Sequence, residues 1–230
     1  MSVAADNTSR AVGINRGLAS SEWVRRPRQA RSEETLNRFL DATAELLAER
    51  RFDEISVNDI CERAGRTVGS FYARFDDKSC VLRVLVEQVA SRLQAEAEAY
   101  WTTATFADTP LAEIVERTVD AVLNAYRQAG AVFHAAAIAA PNDEAFRDAR
   151  LGVWTVCAEG FAEVLVDHRD ELTHPEPERA GQLAMTAMIS VVDVRMIYGP
   201  EVRPRCGSED DLRADLIVVV RSILHPCLPD

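Results

Sequence analysis

The sequence predicts an all-α protein. Ala, Leu, Val, Glu and Arg dominate the composition, and nine prolines and ten glycines are few for an all-β chain of 230 residues. Apolar residues also recur at spacings of three and four. With 47% hydrophobic residues, the chain is long enough to bury one large core or two modest ones. We therefore expect a helical protein of one or two domains.

The first helices are predicted from apolar spacing and from capping residues. One helix runs from Arg31 to near Arg50. A second follows Ser56, whose S-x-x-D spacing predicts a capping box, and closes at Gly65. Thr67 is placed to cap a third helix over residues 68–75, and Asp76 or Asp77 to cap a fourth that begins at Lys78. The second and third helices, which are joined by a tight turn, predict a helix-turn-helix.

Long amphipathic helices are predicted for the rest of the chain. One begins after Pro110 and keeps an apolar face to Tyr126, and the others cover about 131–140, 143–170, 176–198 and 209–224. The breaks between them are "GA" at 130, "PND" at 141, "THPEP" at 173 and "GPEVRPRCGSED" at 199. We expect a flexible basic arm over 1–30, a helix-turn-helix domain over 31–78 and a second helical domain over 79–230.

The charge is distributed unevenly. The net charge of −11 argues at first against a nucleic-acid partner, but the first 90 residues hold 14 basic and 14 acidic residues and are neutral. A basic cluster, "RRPRQAR" at residues 25–31, precedes the first helix. A basic cluster of this kind can equally be a solvated tail. Its position directly before a helix-turn-helix is what suggests a role in binding nucleic acid.

The segment "TVGSFYARFDDK", residues 67–78, combines an apolar and a polar face. Phe71 and Phe75 lie four residues apart and predict a core contact, whereas the small and polar side chains on the other side suit the major groove of DNA. Gly69 would allow close approach to a backbone or phosphate. The alternative at this point is an ordinary packed helical hairpin.

The segment "AGRTVGSFYARFDDKSCVL", preceded by "FLDATAELLAERRFDEISVNDIC", closely resembles the DNA-binding domain of the TetR family of bacterial repressors. The resemblance covers about residues 33–82, and it implies a three-helix DNA-binding domain followed by an antiparallel helical domain for ligand binding and dimerisation. It also implies DNA contacts from the arm, the second helix and the recognition helix. The implied residues are Arg28, Arg31, Ser56, Arg66, Thr67, Val68, Gly69, Ser70, Tyr72, Ala73, Arg74 and Lys78.

Two residues depart from the family pattern. Arg51 stands where the family commonly has a glycine that ends the first helix, so either Arg51 is left-handed or the helix ends differently. Arg66 replaces a usual apolar turn residue and would add a cation near the DNA.

The resemblance further implies a homodimer built from the last two long helices. "GQLAMTAMISVVDVRMIY" is apolar nearly all round, which suits burial on two sides. An effector pocket is expected among the preceding helices, although a core role would also explain each candidate. The candidates are Trp101, Tyr126, Phe133, His134, Trp154, Cys157 and Phe161. His168 and His174, near acidic residues, suit a solvated cluster better than a metal site.

These observations favour a DNA-binding repressor of transcription that leaves a palindromic operator when a small, largely apolar effector binds. The alternative is an architectural or partner-regulated DNA-binding protein without an effector. An enzyme is disfavoured because the chain has no G-x-S-x-G, phosphate-binding glycine loop or H-E-x-x-H. Five irregularly spaced cysteines and no long apolar run predict a cytoplasmic protein with reduced thiols, no cofactor, no metal and no membrane span.

Overall fold

The structure is a computed structural model that describes residues 30–139, 143–198 and 208–225. Those residues are all-α, as predicted, with nine helices and 3-10 turns at Phe52–Glu54 and Arg169–Glu171. The helices are α1 (Ala30–Glu49), α2 (Val57–Ala64), α3 (Val68–Tyr72), α4 (Lys78–Tyr100), α5 (Thr103–Phe106), α6 (Leu111–Ala139), α7 (Glu144–Asp167), α8 (Pro177–Tyr198) and α9 (Glu209–Leu224). None of the described helices is both long enough and apolar enough to cross a bilayer.

The predicted caps form around α2, α3 and α4. Ser56 and Asp59 make the capping box, with each accepting a hydrogen bond from the other's backbone N–H. Gly65 ends α2 in the left-handed conformation, at φ 62°. Thr67 caps α3, and the Asp77 carboxylate accepts hydrogen bonds from the N–H groups of the second and third residues of α4. Local sequence therefore sets the ends of these helices.

Two local predictions differ from the structure, and the alternative left open at Arg51 is settled by it. The helix α3 ends at Tyr72 rather than Phe75, because the Arg74 N–H bonds the Phe71 carbonyl and tightens the last turn. Arg51 is extended, so α1 ends without a left-handed residue. The break expected at Gly130 is absent, since α6 continues through it. The buried residues Ala129, Val132, Ala135 and Ala136 keep one apolar face across this point, which offsets the glycine's cost of about 1 kcal/mol.

Contacts divide the chain into two compact units. Among the described residues, the first unit contains those from 30 to 92 and from 128 to 150, and the second contains those from 93 to 127 and from 151 onward. In the first unit Phe39, Phe71 and Phe75 are fully buried, and the Phe71 ring lies 5.4 Å from Phe39 and 5.1 Å from Phe75. The predicted core role of Phe71 and Phe75 is confirmed.

The second unit has its own apolar core. Trp101 stacks on Phe106 with ring centroids 5.7 Å apart and lies 5.4 Å from the ring of Phe161. Two glycines allow close packing in this unit. A Cβ added at Gly160 would lie 2.3 Å from the Trp101 Cβ, and one added at Gly181 would lie 2.7 Å from the Cα of Ala162. Neither glycine therefore has room for a side chain beside these neighbouring atoms.

Candidate nucleic-acid interface

The start of α3 is exposed, as a surface that enters a DNA groove must be. Thr67, Val68 and Gly69 are exposed, Ser70 is half-buried, and Tyr72 is 48% exposed. The Tyr72 ring packs edge-on against the buried Phe71, at 5.5 Å between centroids. One part of the ring is therefore in contact with the core, while about half of the residue stays exposed.

Gly69 is unexplained by the fold itself. Its φ is not positive, and a Cβ added there would meet nothing within 4 Å. Neither backbone conformation nor packing in the free protein therefore requires a glycine. A partner that approaches this face closely would supply the reason.

The hydroxyls of Thr67 and Ser70 each make one hydrogen bond within α3 and can make another to a partner at the surface. The Thr67 Oγ1 accepts a hydrogen bond from the Ser70 N–H at 3.2 Å, and the Ser70 hydroxyl donates to the Thr67 carbonyl at 2.7 Å. Thr67 therefore keeps its O–H as a donor, and Ser70 keeps oxygen lone pairs as acceptors. Together they can offer both a donor and an acceptor to base edges.

Arg74 folds back along α3 rather than extending from it. Its Nη1 donates to the Ser70 carbonyl at 2.8 Å, and burial together with the charge of Arg66 lowers the pKa of the guanidinium. Arg66 itself lies 3.5 Å from the Glu34 carboxylate and donates to the Gly65 carbonyl. Both cations are thus partly engaged within the domain.

Lys78 is held by the turn that follows α1. Its Nζ donates to the carbonyls of Phe52 and Ile55, each at 2.7 Å, and lies 4.6 Å from the centroid of the Phe52 ring. Phe52 carries only a weak signal in the sequence, a large apolar side chain directly after two arginines, and was not among the predicted residues. A third, longer contact of 3.5 Å runs from the ammonium to the Asp53 carbonyl, so a phosphate contact would replace this weakest bond.

The remaining predicted DNA contacts fall into two groups. Ser56 is exposed at the start of α2, but its hydroxyl is engaged with the Asp59 carboxylate at 2.6 Å. Arg28 and the side chain of Arg31 lie outside the described residues, and the exposed Ala73 follows α3 directly. Residues 66–74 and Lys78 therefore lie in one short stretch of the chain, around α3 and at the start of α4. The contacts of the basic arm stay a prediction.

The predicted effector residues are separated into two groups. Trp101, Tyr126, Trp154, Cys157 and Phe161 belong to the second unit, whereas Phe133 and His134 belong to the first. In the second unit the Tyr126 hydroxyl bonds the buried Asp193, and burial raises the pKa of the Cys157 thiol. In the first unit His134 lines a cavity of about 290 Å³. The seven candidates are thus divided between the two units, and their role as effector contacts stays a prediction.

His168 has a structural role. Its two ring nitrogens lie 2.9 Å from the Val164 carbonyl and 3.1 Å from the Thr109 carbonyl. Across the described residues, no group of three or more His, Cys, Asp and Glu side chains is arranged to hold a metal ion.

Comparisons with known proteins identify both parts of the chain. Residues 39–85 match the model of the bacterial regulatory proteins of the tetR family, and residues 110–214 match the tetracyclin repressor-like C-terminal domain. The chain is 40% identical over 60 residues to the HTH-type transcriptional regulator YwcC of Bacillus subtilis, and 28% identical over 97 residues to YvdT of the same organism. These matches span 26% and 39% of this chain, and 27% and 50% of those relatives.

Two solved structures show the same fold. One is described as a TetR-family transcriptional regulator from a Rhodococcus species, with TM-score 0.56 and 18% identity over 83% of this chain and 99% of that one. The other is SmeT in complex with triclosan, with TM-score 0.55 and 20% identity over 83% of this chain and 90% of that one. With the two family matches together covering about two thirds of its residues, the chain belongs to the TetR family of DNA-binding, non-enzymatic transcriptional regulators.

Proposed function

We propose that the protein is a homodimeric repressor that binds a pseudo-palindromic operator and leaves it when a small, largely apolar effector binds. The observation that carries the DNA-binding part is the exposed start of α3, with an unexplained glycine and two hydroxyls that keep hydrogen-bonding capacity. Such a helix suits close approach to base edges in the major groove. A DNA target would place the protein in the bacterial cytoplasm.

The proposed roles of the side chains follow from their surroundings. Thr67, Val68, Ser70 and Arg74 are assigned to base edges and nearby phosphates, whereas Tyr72 and Lys78 are assigned to phosphates. Arg74 has to leave the Ser70 carbonyl to reach DNA, a bond of 2.8 Å that the phosphate or base contact replaces. Arg28, Arg31, Ser56 and Arg66 are assigned supporting phosphate or minor-groove contacts.

Dimerisation is proposed to use α8 and α9. Leu183 and Val194 on α8 are exposed, and Val218 on α9 is 63% exposed. On α8 the half-buried Ala187 and Val191 join Leu183 and Val194 at helical spacing, so they form one continuous apolar stripe. This apolar stripe on α8, together with the exposed Val218 on the neighbouring α9, suits a four-helix bundle with a second copy.

The second candidate function is that of an architectural or partner-regulated DNA-binding protein without a small-molecule effector. It is favoured by the close packing of Trp101 with Phe106, Phe161 and Gly160, because those rings already fill part of the region where an effector was expected. Calorimetric and thermal-shift screening of small apolar compounds distinguishes the two functions, since a ligand that binds only the native state raises its melting temperature.

The DNA-binding proposal is tested by selecting duplexes from a random library and footprinting the winner. We expect two half-sites related by a dyad and separated by about one helical turn or a multiple of it. The logarithm of the affinity should fall linearly with the logarithm of salt concentration, because contacted phosphates release counterions. Recovery of no preferred duplex, or a footprint on a single half-site, would contradict the proposal.

A further inference from the structure

The cavity beside His134 lies wholly within the first unit. Its volume is about 290 Å³. The end of α1 and the following turn form one wall, with Leu47, Arg50, Arg51, Phe52 and Asp53. One face of α6 forms the other wall, with residues at helical spacing: Ala131, His134, Ala135, Ile138 and Ala139.

The polar groups of the lining favour an anion. Arg51 and Asp53 neutralise each other through two N–H···O bonds of 3.0 and 3.3 Å. Arg50 reaches the Asp59 carboxylate with one nitrogen, at 3.4 Å, and its other N–H groups have no partner in the described part of the chain. His134 is half-buried and makes no side-chain hydrogen bond to any described residue. Arg50 and His134 therefore offer donors to a ligand, and apart from the mutually paired Arg51 and Asp53 the other lining side chains are apolar.

We propose that this cavity binds a small apolar monocarboxylate. Its hydrocarbon part packs against Leu47, Phe52 and Ile138, and its carboxylate faces Arg50 and His134. The volume holds roughly ten water-sized groups at about 30 Å³ each, which corresponds to a single aromatic ring or a short chain with one carboxylate. The site differs from the aromatic cluster around Trp101, which belongs to the second unit.

Occupancy of this cavity acts directly on the DNA-binding segment. Phe52 lines the cavity, and its carbonyl and ring both hold Lys78, the first residue of α4. A ligand that displaces Phe52 loosens the contact that fixes the chain directly after α3. This regulatory consequence rests on the proposed function, whereas ligand binding itself does not.

The test is a calorimetric titration of the full chain with benzoate, with benzyl alcohol as the neutral probe. We expect a dissociation constant for benzoate below about 1 mM, and binding of benzyl alcohol weaker by about tenfold or more. Ala131→Phe fills the cavity from an exposed position on its wall and should weaken benzoate binding by about tenfold or more. Arg50→Gln should weaken it to a similar degree without filling the cavity.

The matched control is Ala112→Phe, at an exposed alanine on the same helix that does not line the cavity. It should leave benzoate affinity within about twofold. Circular dichroism and melting verify each fold, and Arg50→Gln decides the matter if Ala131→Phe does not fold. Hydrogen exchange with benzoate should slow at residues 47–55 and 131–139. Absence of benzoate binding, equal binding to wild type and Ala131→Phe, or protection elsewhere overturns the site.

The regulatory part is tested separately with the selected duplex. Benzoate at saturation should change duplex affinity by about threefold or more in wild type and not in Ala131→Phe, since coupling is reciprocal. If benzoate binds and the duplex affinity stays constant, the site stands and its coupling to DNA is disproved. If no duplex is bound specifically by the ligand-free protein, the proposed function fails and the binding result is unaffected.

Discussion

At the residue scale, several side chains near α3 serve the fold and the surface together. The Lys78 ammonium donates to two backbone carbonyls 23 and 26 residues earlier in the chain, and it covers the Phe52 ring. Thr67 caps α3 with its oxygen and keeps its O–H. Substitution of such residues therefore affects stability and DNA binding to different degrees.

Lys78→Ala should lower both properties. The Phe52 and Ile55 carbonyls lose their donor, and the free energy of unfolding should fall by about 1–3 kcal/mol. Tyr72→Phe is the matched control, because its ring can stay on Phe71 while the hydroxyl is lost. Urea denaturation should show a lower midpoint for Lys78→Ala alone, and both variants should bind all duplexes more weakly. An unchanged midpoint for Lys78→Ala would refute the structural role.

Gly69→Ala should separate stability from DNA binding. Alanine meets no atom within 4 Å at this position and has the better helix propensity, so the free energy of unfolding should rise by about 0.5 kcal/mol. Affinity for the selected duplex should fall, because the added methyl group lies on the exposed start of α3. Denaturation and a binding titration on the same preparation measure both effects. Unchanged duplex affinity would show that no partner approaches Gly69 closely.

At the element scale, two glycines on neighbouring helices in the chain offer a comparison. A Cβ at Gly181 of α8 would meet the backbone of Ala162 at 2.7 Å, whereas one at Gly152 of α7 would meet the amide end of Gln94 at 2.2 Å. Backbone atoms of a packed helix move at a cost, but a long side chain changes rotamer easily.

Gly181→Ala should therefore lower the free energy of unfolding by about 1–3 kcal/mol, while Gly152→Ala should change it little or raise it slightly. Thermal and chemical melts of the two variants beside wild type provide the measurement. Equal destabilisation by both substitutions would contradict the distinction between backbone and side-chain neighbours.

The elements that could be predicted are those whose ends carry local signals. Apolar spacing with a capping residue placed α2, and apolar spacing after a loop signal placed α9, which begins at Glu209 and ends at Leu224 as expected. The continuity of α6 could not be predicted, because Gly130 gives a break signal that only the buried face outweighs. The partners of Lys78 and the cavity beside His134 depend on residues far apart in the chain, so spacing alone does not show them.

At the scale of the whole molecule, the proposed homodimer would cover the apolar stripe on α8 and the exposed Val218 on α9. Val218→Asp places a carboxylate in the centre of the proposed interface and should give a monomer, since an unpaired charge is costly to bury. Sedimentation or light scattering should show half the mass of wild type, and affinity for the two-half-site duplex should fall sharply. Ile138→Asp, at an exposed residue of the first unit, is the control and should leave the mass unchanged. A dimeric Val218→Asp protein would place the interface elsewhere.

Lys78 is the only lysine among the 230 residues, and it begins α4 with its ammonium on the carbonyls of the preceding turn. Protein grown on ¹⁵N-lysine would carry the isotope at one residue, so its two-dimensional spectrum would contain a single lysine amide resonance without any assignment step. That resonance reports on the backbone at the junction between α3 and α4. A change in its chemical shift on addition of duplex, and separately of benzoate, would show which of the two ligands alters the backbone at that junction.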